Sequence, residues 1–97
     1  MVKHIVMFKL RGSKEERHTV ASRFRDALME LPEKIDVLQS MEAAVNENPA
    51  EDWDVVLTAV VPTMGDVAVY AKHPAHVEAA SIVAPLKEAR GCVDYEF

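Results

Sequence analysis

Two stretches of this chain, VKHIVMFKL at 2–10 and VVLTAVV at 55–61, are rich in β-branched residues and read as strands. Both are apolar on both of their faces. In the first, Val2, His4, Val6, Phe8 and Leu10 alternate with Lys3, Ile5, Met7 and Lys9; in the second, Val55, Leu57, Ala59 and Val61 alternate with Val56, Thr58 and Val60. A strand of this kind requires cover on each side of its sheet. Ninety-seven residues offer few elements to supply it. A domain of this size buries only roughly 60–65% of the surface its unfolded chain exposes, so a second copy would add much to its stability.

The rest of the chain supplies two helical regions. Arg11-Gly12 breaks the first strand, and Ser13 to Glu16 has the form of a capping box. Val20, Phe24, Leu28 and Leu31 then fall on one helical face, with Ala27 beside them and Pro32 marking the end. Ile35 to Val45 reads as a weaker strand, followed by a turn at Asn46 to Pro49. After Pro62, Thr63 and Asp66 form a second helix-start signature leading through Val67 to Tyr70. Pro74 resets the chain, and a further helical piece continues from Ala75, disturbed at Pro85 and ending at Gly91. CVDYEF closes as a strand. The order β-α-β-β-α-β predicts a single α+β domain over 1–97 with the ferredoxin-like split βαβ arrangement. Two helices cover one sheet face, and a second copy meeting the other face predicts a homodimeric α/β barrel.

Composition narrows the function classes. The net charge is −5 and the eleven basic residues are scattered, so no nucleic-acid partner is expected. The run at the start is interrupted by Lys9 and no stretch reaches the roughly 20 apolar residues of a membrane span, so neither a signal peptide nor a membrane partner is expected. One cysteine, Cys92, excludes an internal disulfide, suits a cytoplasmic location and reads as a small core residue. There is no glycine-rich phosphate loop, nucleophile motif or dinucleotide fingerprint, and no cofactor is expected.

The chemistry-bearing stretch is YAKHPAH at 70–76, which gathers a tyrosine and two of the four histidines. With Pro74 at the first helical position, His76 lies in the first turn, where the helix dipole favours a neutral imidazole able to accept a proton. A tyrosine hydroxyl beside it could donate to a developing oxyanion, a pairing suited to proton abstraction next to a carbonyl. His4 shares its face with Val6 and Phe8, which would make the remaining wall apolar, as ligand sites usually are. Each residue also has a structural reading: His76 as a helix-start cap, Tyr70 as core, His73 as the fixer of the kink, His4 as a satisfied core histidine. His18 beside Arg17 reads as solvent-facing. A zinc site built from His4, His73 and His76 is disfavoured because Pro74 separates the pair and no cysteine or carboxylate completes the set, so no metal is expected.

VKHIVMFKL, LPEKI, the Asn46 turn, YAKHPAHVEA and VDYEF together resemble the stress-responsive dimeric α/β-barrel (Dabb) family over nearly the whole chain. Ala43-Ala44-Val45-Asn46 departs from it, since the family usually has a glycine before that asparagine. The resemblance implies a ferredoxin-like homodimer with a cavity between helices and sheet. It also implies, in some relatives, a cation held by backbone carbonyls near Leu31–Val37. In one plant member, olivetolic acid cyclase, the catalytic tyrosine and histidine match Tyr70 and His76 and a strand histidine matches His4, while a pocket tyrosine aligns with Phe24. Three readings follow. One is a binding protein for a small apolar carbonyl compound, with Val6, Phe8, Phe24 and His73 around it. The second is a cofactor-free enzyme of aldol, cyclase or isomerase type using His76, Tyr70 and His4. The third is a structural or protein-binding dimer.

Overall fold

The computed structural model describes residues 1–97, in the order β1 (Val2–Leu10), α1 (Lys14–Met29), β2 (Ser40–Val45), β3 (Val55–Val61), α2 (Met64–Lys72), α3 (Pro74–Ala80) and β4 (Lys87–Glu96). Single 3-10 turns occupy Leu31–Glu33 and Ala84–Leu86. The strands form one sheet in the order β2-β3-β1-β4, with every neighbouring pair antiparallel. This is the expected ferredoxin-like α+β arrangement, with the second helical region divided at His73-Pro74.

Local chemistry sets the helix starts. Ser13 Oγ accepts the Glu16 N–H at 3.1 Å and caps α1. Gly12, at φ 111°, makes the turn from β1 in a backbone conformation that side-chain-bearing residues rarely adopt. Thr63 and Asp66 close both halves of a capping box at the start of α2. Asp54 ties three elements together. Its Oδ2 accepts the Leu10 N–H at 2.7 Å, and its Oδ1 accepts from Arg17 Nε at 3.3 Å.

Two element boundaries differ from expectation. The second strand begins at Ser40 rather than Ile35, because Ile35 and Leu38 are buried as the apolar pins of a turn whose amides bond back to Leu31 and Ile35. The last strand begins at Lys87, not after Gly91. Pro85 lacks the N–H that a continuing helix needs, and the chain completes one 3-10 turn before Lys87 turns extended. Gly91 therefore sits inside β4, opposite Met7.

The core lies between the helices and one face of the sheet. Val2, Val6, Leu57, Ala59 and Val61 meet Ala21, Phe24, Leu28 and Leu31 there. Phe8 and Phe24 pack edge to face, with centroids 5.3 Å apart and planes at 89°. The helices pack chiefly over β2 and β3, so the corresponding face of the edge strand β4 is left open. The opposite sheet face has no helix on it. Met7, Val56, Val93, Tyr95 and Phe97 are exposed there, Val93 by 62% and Phe97 by 60%. No helix is long and apolar enough to cross a membrane.

Candidate functional site

Antiparallel pairing places the side chains of β1 and β4 in matched columns on the helix side of the sheet. Phe8 stands beside Arg90, Val6 beside Cys92 and His4 beside Asp94. Above them, His73 caps α3 by accepting the Ala75 N–H on Nδ1 at 3.0 Å, and Pro74 occupies the first helical position. That geometry brings His76 back over the end of α2, where its Nδ1 bonds the Ala71 carbonyl at 2.9 Å. A carbonyl only accepts, so Nδ1 carries the proton and Nε2 keeps its lone pair in the neutral ring.

His4, Tyr70 and His76 lie together at one corner of the fold. The Tyr70 ring lies 4.6 Å from that of His76 and 5.8 Å, edge-on, from that of His4. Tyr70 is fully buried, and its hydroxyl finds no hydrogen-bond partner in the protein. Burial pushes the Tyr70 hydroxyl well above its usual range, an effect that the Arg90 charge only partly offsets, so the group remains a donor. Burial also lowers the pKa of His76; its bond to Ala71 works in the other direction, while the nearby His4 and Arg90 add to the lowering. The imidazole is thus held neutral at pH 7.

These groups flank a cavity of about 220 Å³, whose wall includes His4, Val6, Phe8, Phe24, Leu57, His76 and Val83, with Lys87 and Arg90 also on it. His4, His76, Val6, Phe8 and Phe24 thus line this cavity. Tyr70 lies behind the two histidines rather than on the wall. His73, expected as a ligand contact, is not on the wall either, because its ring is engaged in capping α3. His18 is exposed on α1, far from this corner.

Three residues at the corner were not among those expected. Asp94 receives the His4 Nδ1–H at 2.5 Å, which orients the imidazole and leaves Nε2 as its acceptor. Cys92, expected in the core, is exposed on the uncovered face of β4, with Sγ 3.5 Å from His4 Nδ1. Partial burial and the Asp94 carboxylate raise its pKa, so it is no activated thiolate. Arg90 is the third. Strand alternation alone puts Cys92, Asp94 and Glu96 on one face, but placing Asp94 beside His4 requires the β1–β4 register.

His4 Nδ1, Cys92 Sγ and Asp94 Oδ1 all lie within 4.8 Å of one another and are the donor atoms offered to a soft divalent ion. The 2.5 Å separation of His4 and Asp94 is that of a hydrogen bond. Ligands of a tetrahedral ion stand roughly 3.3 Å apart, so this corner would have to open to receive one. The segment Leu31–Val37, where the resemblance implied a carbonyl-held cation, is a 3-10 turn followed by a second turn. The Leu31 carbonyl accepts the Lys34 and Ile35 amides, and that of Ile35 accepts the Leu38 amide. A larger depression of about 480 Å³ at the far end of the sheet is lined mainly by charged and polar residues, among them the paired Arg17 and Asp54, with few apolar groups.

A four-stranded antiparallel sheet, helices on one face and a His–Tyr–His corner beside an apolar cavity define a ferredoxin-like α+β domain. The chain belongs to the Dabb family, the stress-responsive A/B barrel domain, whose model matches residues 2–97. Among solved structures, it is similar to a dimeric ferredoxin-like protein of unknown function from Bacteroides fragilis, with 47% identity, TM-score 0.95 and coverage of 99% of this chain and 95% of that one. A Dabb family protein from Mesorhizobium loti shares 20% identity, with TM-score 0.73 and coverage of 98% and 94%. Hydroxynitrile lyase from Passiflora edulis shares 15% identity, with TM-score 0.67 and coverage of 97% and 90%. These last two likenesses show the fold alone. Among the curated proteins, none matches the chain by sequence.

Proposed function

We propose that this Dabb protein binds a small, largely apolar carbonyl compound in the cavity between α1, α3 and the sheet. The observation that carries this reading is an apolar cavity of about 220 Å³ with two oriented imidazoles on its wall. That volume equals the liquid volume of about seven water molecules, which suits a ligand of modest size. Val6, Phe8, Phe24, Leu57 and Val83 supply the apolar contacts, the imidazole Nε2 atoms stand as acceptors, and Lys87 and Arg90 carry the N–H donors that a carbonyl oxygen can use.

A second reading, cofactor-free proton-transfer catalysis, is favoured by the state of His76. Its Nε2 is unprotonated because Nδ1–H is committed to Ala71, and burial keeps the ring neutral. Such a base can take a proton from the carbon next to a bound carbonyl, while the Tyr70 ring packs against those of His76 and His4 and holds them in place.

The protein also pairs with a second copy through the open sheet face. The exposed row of Met7, Val56, Val93, Tyr95 and Phe97 supports this, as does the dimeric description of the 47%-identical relative. A cytoplasmic location accords with the single free Cys92.

Titration with 2-heptanone, followed by NMR, tests the binding reading. Methyl shifts at Val6, Leu57 and Val83 are expected, and their absence at saturating ketone would remove the cavity reading in favour of a purely structural dimer. Exchange of the ketone's α-hydrogens in D2O tests the second reading. Wild type should accelerate it, and His76→Ala should return it to the buffer rate while the fold persists.

A further inference from the structure

Around the cavity the charges do not balance. Lys87 and Arg90 both lie on its wall, and no carboxylate does. The ion pairs of the molecule join His4 to Asp94, Lys9 to Glu88, Arg17 to Asp54 and Arg25 to Asp26. Neither Lys87 nor Arg90 takes part in any of them. The acid nearest in register on the same face of β4 is Asp94, and its Oδ1 is engaged by His4. The Arg90 charge reaches the working groups of the corner, since it acts on Tyr70, His76 and Cys92. Opposite these two cations the wall is apolar, formed by Val6, Phe8, Phe24, Leu57 and Val83.

We infer that Arg90, with Lys87 beside it, receives an anionic group of the ligand, so that the cavity takes a small carboxylic acid with an apolar chain. This inference rests on the binding reading above and narrows its ligand from a neutral carbonyl compound to a carbonyl acid. A guanidinium offers two parallel N–H donors to a carboxylate, a geometry that a ketone oxygen cannot use in full. The apolar chain then lies along Val6, Phe8 and Leu57 on β1 and β3, and the carboxylate stands at the β4 side, where the helices leave the sheet open. The carboxylate of such an acid would sit at the Arg90 end and leave the rest of its length to the histidines. Discrimination between an acid and its neutral analogue is thus assigned to β4, and proton transfer to β1 and α3.

The test compares hexanoate with 2-heptanone, which has the same number of non-hydrogen atoms and no charge. Calorimetry gives the affinities, and NMR shifts at Val6, Leu57 and Val83 show whether each compound enters the cavity. Hexanoate should bind at least about tenfold more tightly at low salt, as expected for a charge-assisted pair. Arg90→Gln should erase that advantage, with a smaller effect on 2-heptanone. Arg90→Lys should retain part of it, and added salt should shrink it. Because Arg90 is exposed, its replacement leaves the core intact; Lys87→Gln serves as the second variant and should lower hexanoate affinity by a smaller factor. If 2-heptanone enters the cavity and binds as tightly as hexanoate, the anion inference fails and the cavity reading stands. If hexanoate is preferred but Arg90→Gln does not change the preference, the inference fails as well. If neither compound shifts the cavity methyls, both readings fall together.

Discussion

Tyr70 is the residue whose environment is hardest to explain by stability alone. Its ring fills the space between His4 and His76, but its hydroxyl is buried with no protein partner. An unpaired buried hydroxyl costs about 1–3 kcal/mol. Tyr70→Phe should therefore leave the thermal midpoint unchanged or raise it. A clear loss of stability in that variant would mean that the hydroxyl is structurally engaged after all. His76 carries a pH signature. Burial lowers its proton affinity in the fold, so the unfolded chain takes up a proton first as pH falls through about 6.5. The contribution of this group to stability is intact above that value and declines below it. The His76 ring resonances should titrate with a midpoint under that of an ordinary histidine, and denaturation profiles of wild type and His76→Gln should converge as the pH falls. A midpoint at or above the ordinary value would contradict the burial argument. The convergence of Tyr70, His76 and His4 could be read from the sequence because Pro74 fixes one helix start and the family resemblance supplied the strand partner. Arg90 could not be read, because the sequence pattern carried a helical segment through it.

At the scale of elements, the helix starts and the two central strands follow local rules that sequence states directly. Thr63 and Asp66 formed the expected cap, and the alternation of β1 and β3 gave the correct faces. The ends of β2 and β4 did not follow, for a tertiary reason. Ile35 and Leu38 are apolar because a turn pins them under α1, not because they extend a strand. Lys87 to Arg90 have helix-compatible side chains, but pairing with β1 holds them extended. Asp94 had the same obscurity, since its value comes from lying opposite His4 rather than from its own neighbours. Among the connections between elements, Asp54 is the one most exposed to a single substitution. It joins the end of β1 to α1 through the Leu10 amide and Arg17. Asp54→Ala would leave both donors without this acceptor and should cost about 1–3 kcal/mol, read from chemical denaturation. A change within a few tenths of a kcal/mol would show that water replaces the carboxylate at no cost.

At the scale of the whole molecule, the two sheet faces have different tasks. The helix-side face closes the core and shapes the cavity, and the other presents Met7, Val56, Val93, Tyr95 and Phe97 to solvent. The apolar pattern on both faces of β1 and β3 was already legible in the sequence, whereas the partner for the second face lies outside a single chain. In the proposed dimer, a charge placed at Val56 meets an apolar surface with no counter-ion. Val56→Glu should shift sedimentation from dimer to monomer at micromolar concentration, with the cavity face unaffected. A wild-type protein already monomeric under those conditions would overturn the proposal.

The alternation along β1 has a consequence for how such a chain tolerates change. His4, Val6 and Phe8 face the cavity, while Ile5 and Met7, one residue out of step, face the other way. Substitutions can retune either set independently, but the count of residues between Lys3 and Phe8 cannot change. A single deletion there exchanges the destination of every side chain on one side of it, sending pocket residues to the outer surface and surface residues into the pocket. Divergence along this strand is therefore free in identity and fixed in parity.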